Sequence, residues 1–370
     1  MAISAALGLS MVLATAAPAF ASSPYVVGVP LPETGAEAAM GTDMFQAMKL
    51  AASQLNAKGG VLGHKIQLIE EDSACDPQTA VNAANKLVAL KAQAIVGTYC
   101  SSEALPIEPI FSRAGLPFVL PDANATDLTA NGYKDVFQVN ANGQAQANTA
   151  STFLVKILKA KRIAIVDDQS EYAVNLATLT QKAIAKLHGK VVDVEAVPAT
   201  SQDFSSLINK LESEKVDAIY WTGYYAQGGL LLKQARQHSY KGKIVVADGS
   251  VDNILISTAG AKNAQGAYAT MTPMPPFLPG AAAATFTKTY TSTFHMQPGP
   301  YSALAYDSIK TLAAAATRAK SLAPAKVISA LHGINYTGIT GPISFTSSGV
   351  RHDAHFLVLM VKNGKFTLAP

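Results

Sequence analysis

The chain has 370 residues, of which 49 % are hydrophobic and 15 % are charged. This length exceeds what one hydrophobic core usually serves, and the apolar fraction is ample for two, so we expect two lobes. The formal net charge of +4 is small for the length, and no lysine- or arginine-rich run stands out. Nucleic acid is therefore disfavoured as a partner.

The first half of the chain alternates short apolar runs with amphipathic segments. The runs predict strands at residues 25–30, 66–69, 94–97 and 117–121. The amphipathic segments predict helices at about 42–57 and just after the first cysteine. Strand, helix and strand repeated at this spacing imply a parallel, doubly wound sheet.

One stretch of this half carries the clearest end signals. Asp76 before Pro77 is typical of a helix N-cap and first turn. Further on, Cys100 leaves the carboxyl end of a strand, and Ser101 and Ser102 follow where the next helix opens. Ligands of open α/β sheets bind at that edge, and a helix N-terminus beside hydroxyl groups suits a carboxylate. Simple helix capping is the alternative role of the serines.

The second half repeats the pattern. We predict strands at 136–138, 162–166, 191–197, 218–221 and 244–246, and helices at 144–158, 174–187, 204–214 and from about 227. Residues 273–279 hold four prolines and indicate a segment that crosses between lobes. After it, helices are predicted near 281–295, 302–318 and 325–332, with late strands at 343–345 and 356–361.

The N-terminus indicates export. Residues 1–21 carry no charged side chain and end in Ala19-Phe20-Ala21, as in a secretory signal peptide cleaved after Ala21. An uncleaved membrane anchor is the alternative, although the apolar run is short for a span. Cys75 and Cys100 are the two cysteines. In an exported chain they most simply form one disulfide, with two free thiols as the alternative.

Motifs of enzyme chemistry are missing from the sequence. It contains no G-x-S-x-G elbow, no H-E-x-x-H pair, no P-loop and no G-x-G-x-x-G, which disfavours an enzyme. His352 and His355 flank Asp353 and suggest a metal site. Strand spacing points the two imidazoles to opposite faces, so we expect a surface pair and no metal or other cofactor. Trp221 ends a predicted strand and is expected in the core.

Six motifs resemble a known family, the periplasmic solute-binding proteins of ABC importers, specifically the leucine/isoleucine/valine-binding type. They are Asn56-Ala-Lys-Gly-Gly60, Asp72-Ser-Ala-Cys75-Asp-Pro77, Cys100-Ser-Ser102, Asp203-Phe204-Ser205, Gly223-Tyr-Tyr225 and Gln234-Ala-Arg236. The resemblance implies two similar α/β lobes, each a doubly wound, mostly parallel sheet flanked by helices, joined by a multi-crossing hinge. Lobe one is expected at residues 22–142 and 271–349, and lobe two at 143–270 and 350–370.

The resemblance also implies a ligand site. It makes Cys75–Cys100 a disulfide and places the ligand carboxylate on Ser101, with Ser102 beside it in the site. The loop Ala123-Asn124 also belongs to the site, and Asn124, which can donate to the carboxylate, stands where the family usually has threonine. The remaining site residues are Tyr172 and Tyr224, which match tyrosines of the family. Asp248 would pair with the ligand ammonium in place of the usual glutamate, and Met40 stands where an aromatic residue usually covers the ligand. Asp122 stands where glycine is common. From the residues alone, Asn124 and Asp248 also suit turns, and Met40 suits core packing.

The expected function is therefore periplasmic capture of a small amino acid, of the branched-chain type, for a membrane permease of an ABC importer. Closure of two lobes around the ligand is the motion that this architecture allows. The expected state is a monomer. Two alternatives stay open at this point. One is another small amide, carboxylate or aromatic ligand, suggested by Asn124, Asp248 and Met40. The other is an exported sensory module.

Overall fold

A computed structural model describes residues 22–370, so the predicted signal peptide lies outside the described residues. These residues form two α/β lobes, each built around a mostly parallel sheet with helices on its faces. The fold class predicted from the sequence is confirmed. Between Ser22 and Pro370, no helix is both long and apolar enough to cross a membrane.

The elements follow one another in a regular α/β alternation. The strands are β1 (Tyr25–Leu31), β2 (Ile66–Asp72), β3 (Ala94–Val96), β4 (Phe118–Leu120), β5 (Val136–Gln138), β6 (Ile163–Asp167), β7 (Val191–Ala196), β8 (Ala218–Trp221), β9 (Lys243–Val246), β10 (Tyr268–Met271), β11 (Tyr336–Gly338), β12 (Gly341–Ile343), β13 (Leu357–Lys362) and β14 (Lys365–Leu368). The helices are α1 (Ala38–Ala57), α2 (Pro77–Ala89), α3 (Ser101–Arg113), α4 (Asp127–Ala130), α5 (Gly143–Thr152), α6 (Glu171–Lys186), α7 (Ser205–Ser213), α8 (Tyr225–Gln237), α9 (Asn253–Ala259), α10 (Ala261–Ala264), α11 (Gly280–Phe294), α12 (Ser302–Ala319) and α13 (Pro324–His332).

The two main sheets share one topology. The first runs β2-β1-β3-β4-β5 with every neighbouring pair parallel. The second runs β14-β13-β10-β9-β8-β6-β7. Read from its other end, its parallel part is β7-β6-β8-β9-β10, which is the same order of successive strands as in the first sheet. The antiparallel hairpin β13–β14 extends its edge. In such doubly wound sheets, ligands bind at the carboxyl ends of the strands near the point where strand order reverses.

Capping residues explain where several helices begin. The Asp76 carboxylate accepts the Thr79 N–H at 2.8 Å and Pro77 opens α2, as predicted. Helix α6 begins at Glu171 and not at the predicted 174, because the Ser170 hydroxyl accepts the N–H of Ala173 at 3.3 Å. This earlier start is important because it places Tyr172 in the first helical turn.

Other boundaries also differ from prediction. Helix α1 begins at Ala38 instead of residue 42, and Gly41 in its first turn lies close to another stretch of backbone. A Cβ on Gly41 would lie 1.9 Å from the Pro32 carbonyl oxygen, so only glycine fits. Helix α5 ends at Thr152 and continues as a π-helical turn, Phe153–Ile157. The late strand predicted at 343–345 is shifted to β12, which pairs with the unpredicted β11.

The chain passes between the lobes three times, after β5, after β10 and before β13. The first and third crossings are joined by backbone hydrogen bonds: the Gln138 N–H donates to Gly349 O at 2.8 Å, and the Arg351 N–H donates to Gln138 O at 3.2 Å. The Arg351 guanidinium also donates to Val139 O at 3.1 Å. Crossing segments that are hydrogen-bonded to each other favour rotation of the two lobes as rigid bodies about this region.

Helices α11 and α12 return to the first lobe. Tyr290 Oη donates to Asp43 Oδ1 of α1 at 2.7 Å, and Tyr306 Oη donates to Gln54 Oε1 of the same helix at 2.6 Å. In the second lobe, Trp221 is fully buried, as expected from the sequence. Each sheet is therefore covered on both faces, and the strand ends that point toward the other lobe carry the polar loops.

Candidate functional site

A narrow cavity lies between the lobes, at the carboxyl ends of both parallel sheets, and its free space is about 10 Å³. This is roughly the space that one water molecule needs, so the lobes are closed tightly on each other. The residues that line it are Tyr99, Ser101, Asp122, Asn124, Tyr172, Tyr224, Asp248, Gly249 and Tyr301. Both lobes contribute polar side chains, so a small ligand held there would contact both.

The first lobe contributes the N-terminus of α3 and the loop after β4. Ser101 is buried, and its Oγ accepts the N–H of Ala125 at 3.2 Å, which leaves the hydroxyl proton available to another acceptor. Asn124 lies on the same loop and is also buried. Asp122 Oδ1 accepts from Asn140 Nδ2 at 3.0 Å. The structure thus brings the predicted Ser101 and Asn124 together.

The Cys75–Cys100 disulfide is present, with 5.5 Å between the two Cα atoms, a usual separation for the bond. Cys100 is the residue immediately before α3. The disulfide therefore ties the N-terminus of α3, and with it Ser101, to the loop that follows β2.

The second lobe presents Asp248 at the end of β9. Its Oδ1 accepts from Tyr172 Oη at 2.5 Å, and its Oδ2 accepts from Asn124 Nδ2 at 3.2 Å. The second of these bonds crosses the cleft between the lobes. Tyr99 Oη makes another cross-cleft contact, donating to Gly249 O at 3.4 Å. The structure therefore represents the closed arrangement of the lobes, with their polar groups in direct contact.

Tyr224 is positioned by its backbone. Its N–H donates to Asp168 Oδ2 at 3.0 Å. The residue before it, Gly223, permits this approach, since a Cβ there would lie 2.4 Å from the same carboxylate oxygen. Close packing against Asp168 therefore explains why the first residue of the Gly223-Tyr-Tyr225 motif is glycine.

Tyrosine rings form a continuous wall of the cavity. Ring centroids are separated by 5.5 Å for Tyr301 and Tyr99, 5.7 Å for Tyr99 and Tyr224, and 5.5 Å for Tyr224 and Tyr172. Tilted and edge-to-face rings at these distances attract one another. Such a wall offers apolar surface to a ligand side chain and hydroxyl groups to its polar end.

The cavity is acidic. Burial raises the pKa of Asp248 to about 6, although the hydrogen bond from Tyr172 partly opposes the shift. Burial and the nearby charge of Asp248 raise the pKa of Asp122 well above its ordinary value. The lining residues include no lysine, arginine or histidine. A cationic group of a ligand would supply the missing partner.

Three of the predicted ligand-binding residues do not line the cavity. Met40 is buried in the core on α1, which agrees with the packing role considered for it. Ser102 is about 100° further around α3 than Ser101 and is half-buried. Ala123 is buried between Asp122 and Asn124, and its carbonyl accepts from Gln138 Nε2 at 2.9 Å. His352 and His355 are both exposed.

Sequence reasoning missed Tyr99, Asp122, Gly249 and Tyr301 as lining residues. The first three had a usable signal, because each lies within four residues of the end of a predicted strand or beside a predicted site residue. Tyr301 had none. It precedes α12 and reaches the cavity only because that helix packs on the first lobe.

Buried carboxyl groups predict how the stability of the ligand-free protein depends on pH. Burial raises the pKa of Glu37 to about 8, of Glu103 to about 7 and of Asp248 to about 6. The folded state therefore binds more protons than the unfolded chain between pH 4 and 8. Each unit of separation between the folded and unfolded pKa values corresponds to about 1.4 kcal/mol.

We expect the melting temperature of the ligand-free protein to fall as pH rises from 5 to 8, in a thermal melt followed by circular dichroism. The stabilisation from these groups is complete below their unfolded pKa values and is lost as pH rises through the folded ones. A melting temperature that stays level or rises over this range would contradict the assignment of raised pKa values.

Known proteins resemble this chain along almost its whole length. A family model described as periplasmic binding protein matches residues 24–365. An amino acid binding protein of Pseudomonas aeruginosa is 32 % identical over 328 residues, which cover 88 % of this chain and 85 % of that protein. A leucine-specific-binding protein of Salmonella typhimurium is 31 % identical over 316 residues, which cover 85 % of each.

Solved structures show the same similarity over nearly the whole chain. A leucine binding protein from Thermotoga maritima superposes with a TM-score of 0.85 at 30 % identity, covering 93 % of this chain and 97 % of that one. The resemblance predicted from the six sequence motifs is thereby confirmed. With its two-lobed fold, its disulfide and an acidic cavity between the lobes, this chain belongs to the periplasmic binding protein family, among the proteins of the leucine/isoleucine/valine-binding type.

Proposed function

We propose that the protein is the substrate-binding component of an ABC importer and captures a small amino acid or a close analogue between its lobes. Ligands of the branched-chain type are the first candidates, since similar proteins are named for leucine. One observation carries the proposal. Asp248 is a buried carboxylate that faces a small cavity, with Tyr172 holding one oxygen and Asn124 reaching the other from the opposite lobe.

Asp248 suits an ammonium group because a charged hydrogen bond inside a closed cavity is stronger than a neutral one. The ligand side chain would pack on the wall formed by Tyr99, Tyr172, Tyr224 and Tyr301. Ser101 and the first turn of α3 supply a hydroxyl and backbone N–H groups on the opposite side. A ligand that contacts both sets favours the closed state, because an open state offers it only one.

The transport role implies a location and a partner. We propose that a signal peptide is removed after Ala21, that the mature chain works in the periplasm, and that its closed form docks on a membrane permease. We also propose that it acts as a monomer. The family consists of solute-binding proteins, so binding without turnover is the expected activity.

A thermal-shift screen tests the proposed function. The chain from Ser22 would be refolded free of ligand and melted with leucine, isoleucine, valine, their amides, small amines and aromatic carboxylates. A ligand present at a hundred times its Kd adds about 2.7 kcal/mol of stability, so a clear rise in melting temperature is expected with an amine-bearing compound. A rise with aromatic carboxylates alone would contradict the proposal and favour a different ligand class.

A further inference from the structure

A second and larger cavity lies at the crossings between the lobes, and we call it the hinge cavity. Its free space is about 390 Å³, within the roughly 300–1,000 Å³ typical of small-molecule pockets. Each of the three crossings lines it: Ala141 lies on the first, Thr272 and Pro273 on the second, and Arg351 and Ala354 on the third. The hinge cavity shares no lining residue with the cavity between the strand ends, so it is a separate site.

The walls of the hinge cavity are mainly apolar. Leu304 of α12 and Ile339 of the turn between β11 and β12 come from the first lobe, and Leu357 of β13 comes from the second. Phe277 adds an aromatic ring from the second crossing. Leu304 is buried, whereas the other three side chains are partly exposed. An occupant with an apolar body would remove this surface from water, which is favourable.

The buried charges at the hinge cavity already have partners. The Arg351 guanidinium donates four hydrogen bonds, to three backbone carbonyl groups and to the Thr340 hydroxyl. That hydroxyl in turn donates to the Asp307 carboxylate at 2.6 Å, so the two opposite charges are linked. Asp353 and His355 at the rim are exposed to water. Because a buried charge without a partner is strongly unfavourable, the cavity suits an uncharged molecule.

One polar group of the lining lacks a partner. Thr272 is 3 % exposed, and its hydroxyl forms no hydrogen bond within residues 22–370. A buried polar atom without a partner is costly, and a hydroxyl can either donate or accept. A single hydroxyl or carbonyl group on the occupant would supply the missing partner.

The position of the hinge cavity couples its occupancy to lobe closure. Leu304 and Leu357 belong to different lobes, so rotation about the crossings changes the distance between these two walls. Asn140 connects the two cavities, since it lines the hinge cavity and its Nδ2 donates at 3.0 Å to Oδ1 of Asp122, which lines the other. An occupant that fits the closed shape favours the closed lobes, because a ligand shifts an equilibrium toward the state that it binds better.

We propose that the hinge cavity is a second binding site, for a small uncharged molecule with an apolar body and one hydroxyl or carbonyl group, and that its occupant stabilises the closed lobes. The apolar body would pack on Leu304, Ile339 and Leu357, and the polar group would contact the Thr272 hydroxyl. The occupant would also raise affinity for the ligand between the lobes, since coupling between two sites is reciprocal. Only this last effect rests on the proposed function.

Saturation-transfer NMR titrations of the chain from Ser22 at pH 7 test the site with three probes. p-Cresol has an apolar ring and one hydroxyl, which is uncharged because a phenol has a pKa of about 10. Toluene lacks the hydroxyl, and p-toluate carries a carboxylate in its place. We expect p-cresol to bind a few-fold to about tenfold more tightly than toluene, the usual range for one hydrogen bond, and p-toluate to bind more weakly than p-cresol.

Two variants locate the bound probe. Ala354→Trp fills the hinge cavity from the third crossing and should weaken p-cresol binding by about tenfold or more. Ala282→Trp is the matched control, because Ala282 is an exposed alanine of α11 that does not line the cavity. Thr272→Val keeps the shape of the side chain and removes its hydroxyl, so it should erase the preference for p-cresol over toluene. This second variant keeps the test decisive if Ala354→Trp does not fold.

Small-angle X-ray scattering of the ligand-free protein tests the effect on closure, and p-cresol should lower the radius of gyration. Absence of p-cresol binding overturns the inference, as does binding that neither Ala354→Trp nor Thr272→Val alters. Binding of p-toluate that is as tight as that of p-cresol and is lost in Ala354→Trp overturns the uncharged class. A radius that stays level or rises overturns the effect on closure. None of these measurements uses an amino acid, so they stand or fall separately from the proposed function.

Discussion

Replacing Asp248 with alanine is expected to weaken binding of an amine-bearing ligand by about 2–5 kcal/mol, the range for truncating one member of a buried, hydrogen-bonded charge pair. The side chain is 2 % exposed, and both of its oxygens already have partners, Tyr172 and Asn124. Without the carboxylate, the ligand ammonium would enter a closed cavity with no anion at that end.

Isothermal titration would compare Asp248→Ala with Asp248→Asn and the wild-type protein. The asparagine keeps one acceptor for the Tyr172 hydroxyl, so it separates the loss of charge from the loss of hydrogen bonds. Asp167→Asn serves as the control, since Asp167 is a buried aspartate of the same lobe outside the cavity. An unchanged Kd in Asp248→Ala would remove Asp248 from the binding site.

Loss of the Cys75–Cys100 disulfide is expected to lower the free energy of unfolding by roughly 3 kcal/mol in the chain-entropy model. The two cysteines are 25 residues apart in sequence, so the reduced chain gains considerable freedom when unfolded. The bond also holds the start of α3, where Ser101 faces the cavity. We therefore expect ligand affinity to fall together with stability.

Urea denaturation of the Cys75→Ser/Cys100→Ser double variant would measure the loss. The wild-type protein treated with reductant is the matching sample, and the two should unfold at similar denaturant concentrations. Because the chain contains no other cysteine, thiol titration of the native protein gives a direct check. Two reactive thiols in the untreated protein would exclude the bond.

Local sequence signals were sufficient for most of the fold. Short β-branched runs separated by amphipathic helices predict parallel sheets because each signal depends on neighbouring residues alone. The start of helix α2 at Asp76 and Pro77 was predictable for the same reason. Helix starts were predicted less accurately, since α1 begins at Ala38 and not at residue 42. Gly41 in its first turn packs against the Pro32 backbone, a contact that local propensity does not indicate.

The residues of the binding site were likewise predictable only where local sequence signals place them. By itself the sequence determined the family, the cysteine pair and the strand ends that carry Ser101, Asn124 and Asp248, since strand–helix alternation places successive loops on one edge of a sheet. Tertiary structure alone decided that Tyr301 completes the aromatic wall, that Met40 turns into the core, and that Asp122 faces the cavity with Asp248 across the cleft. The physical reason is that burial and charge pairing are relations between residues distant in sequence, which appear only when the two lobes close on each other.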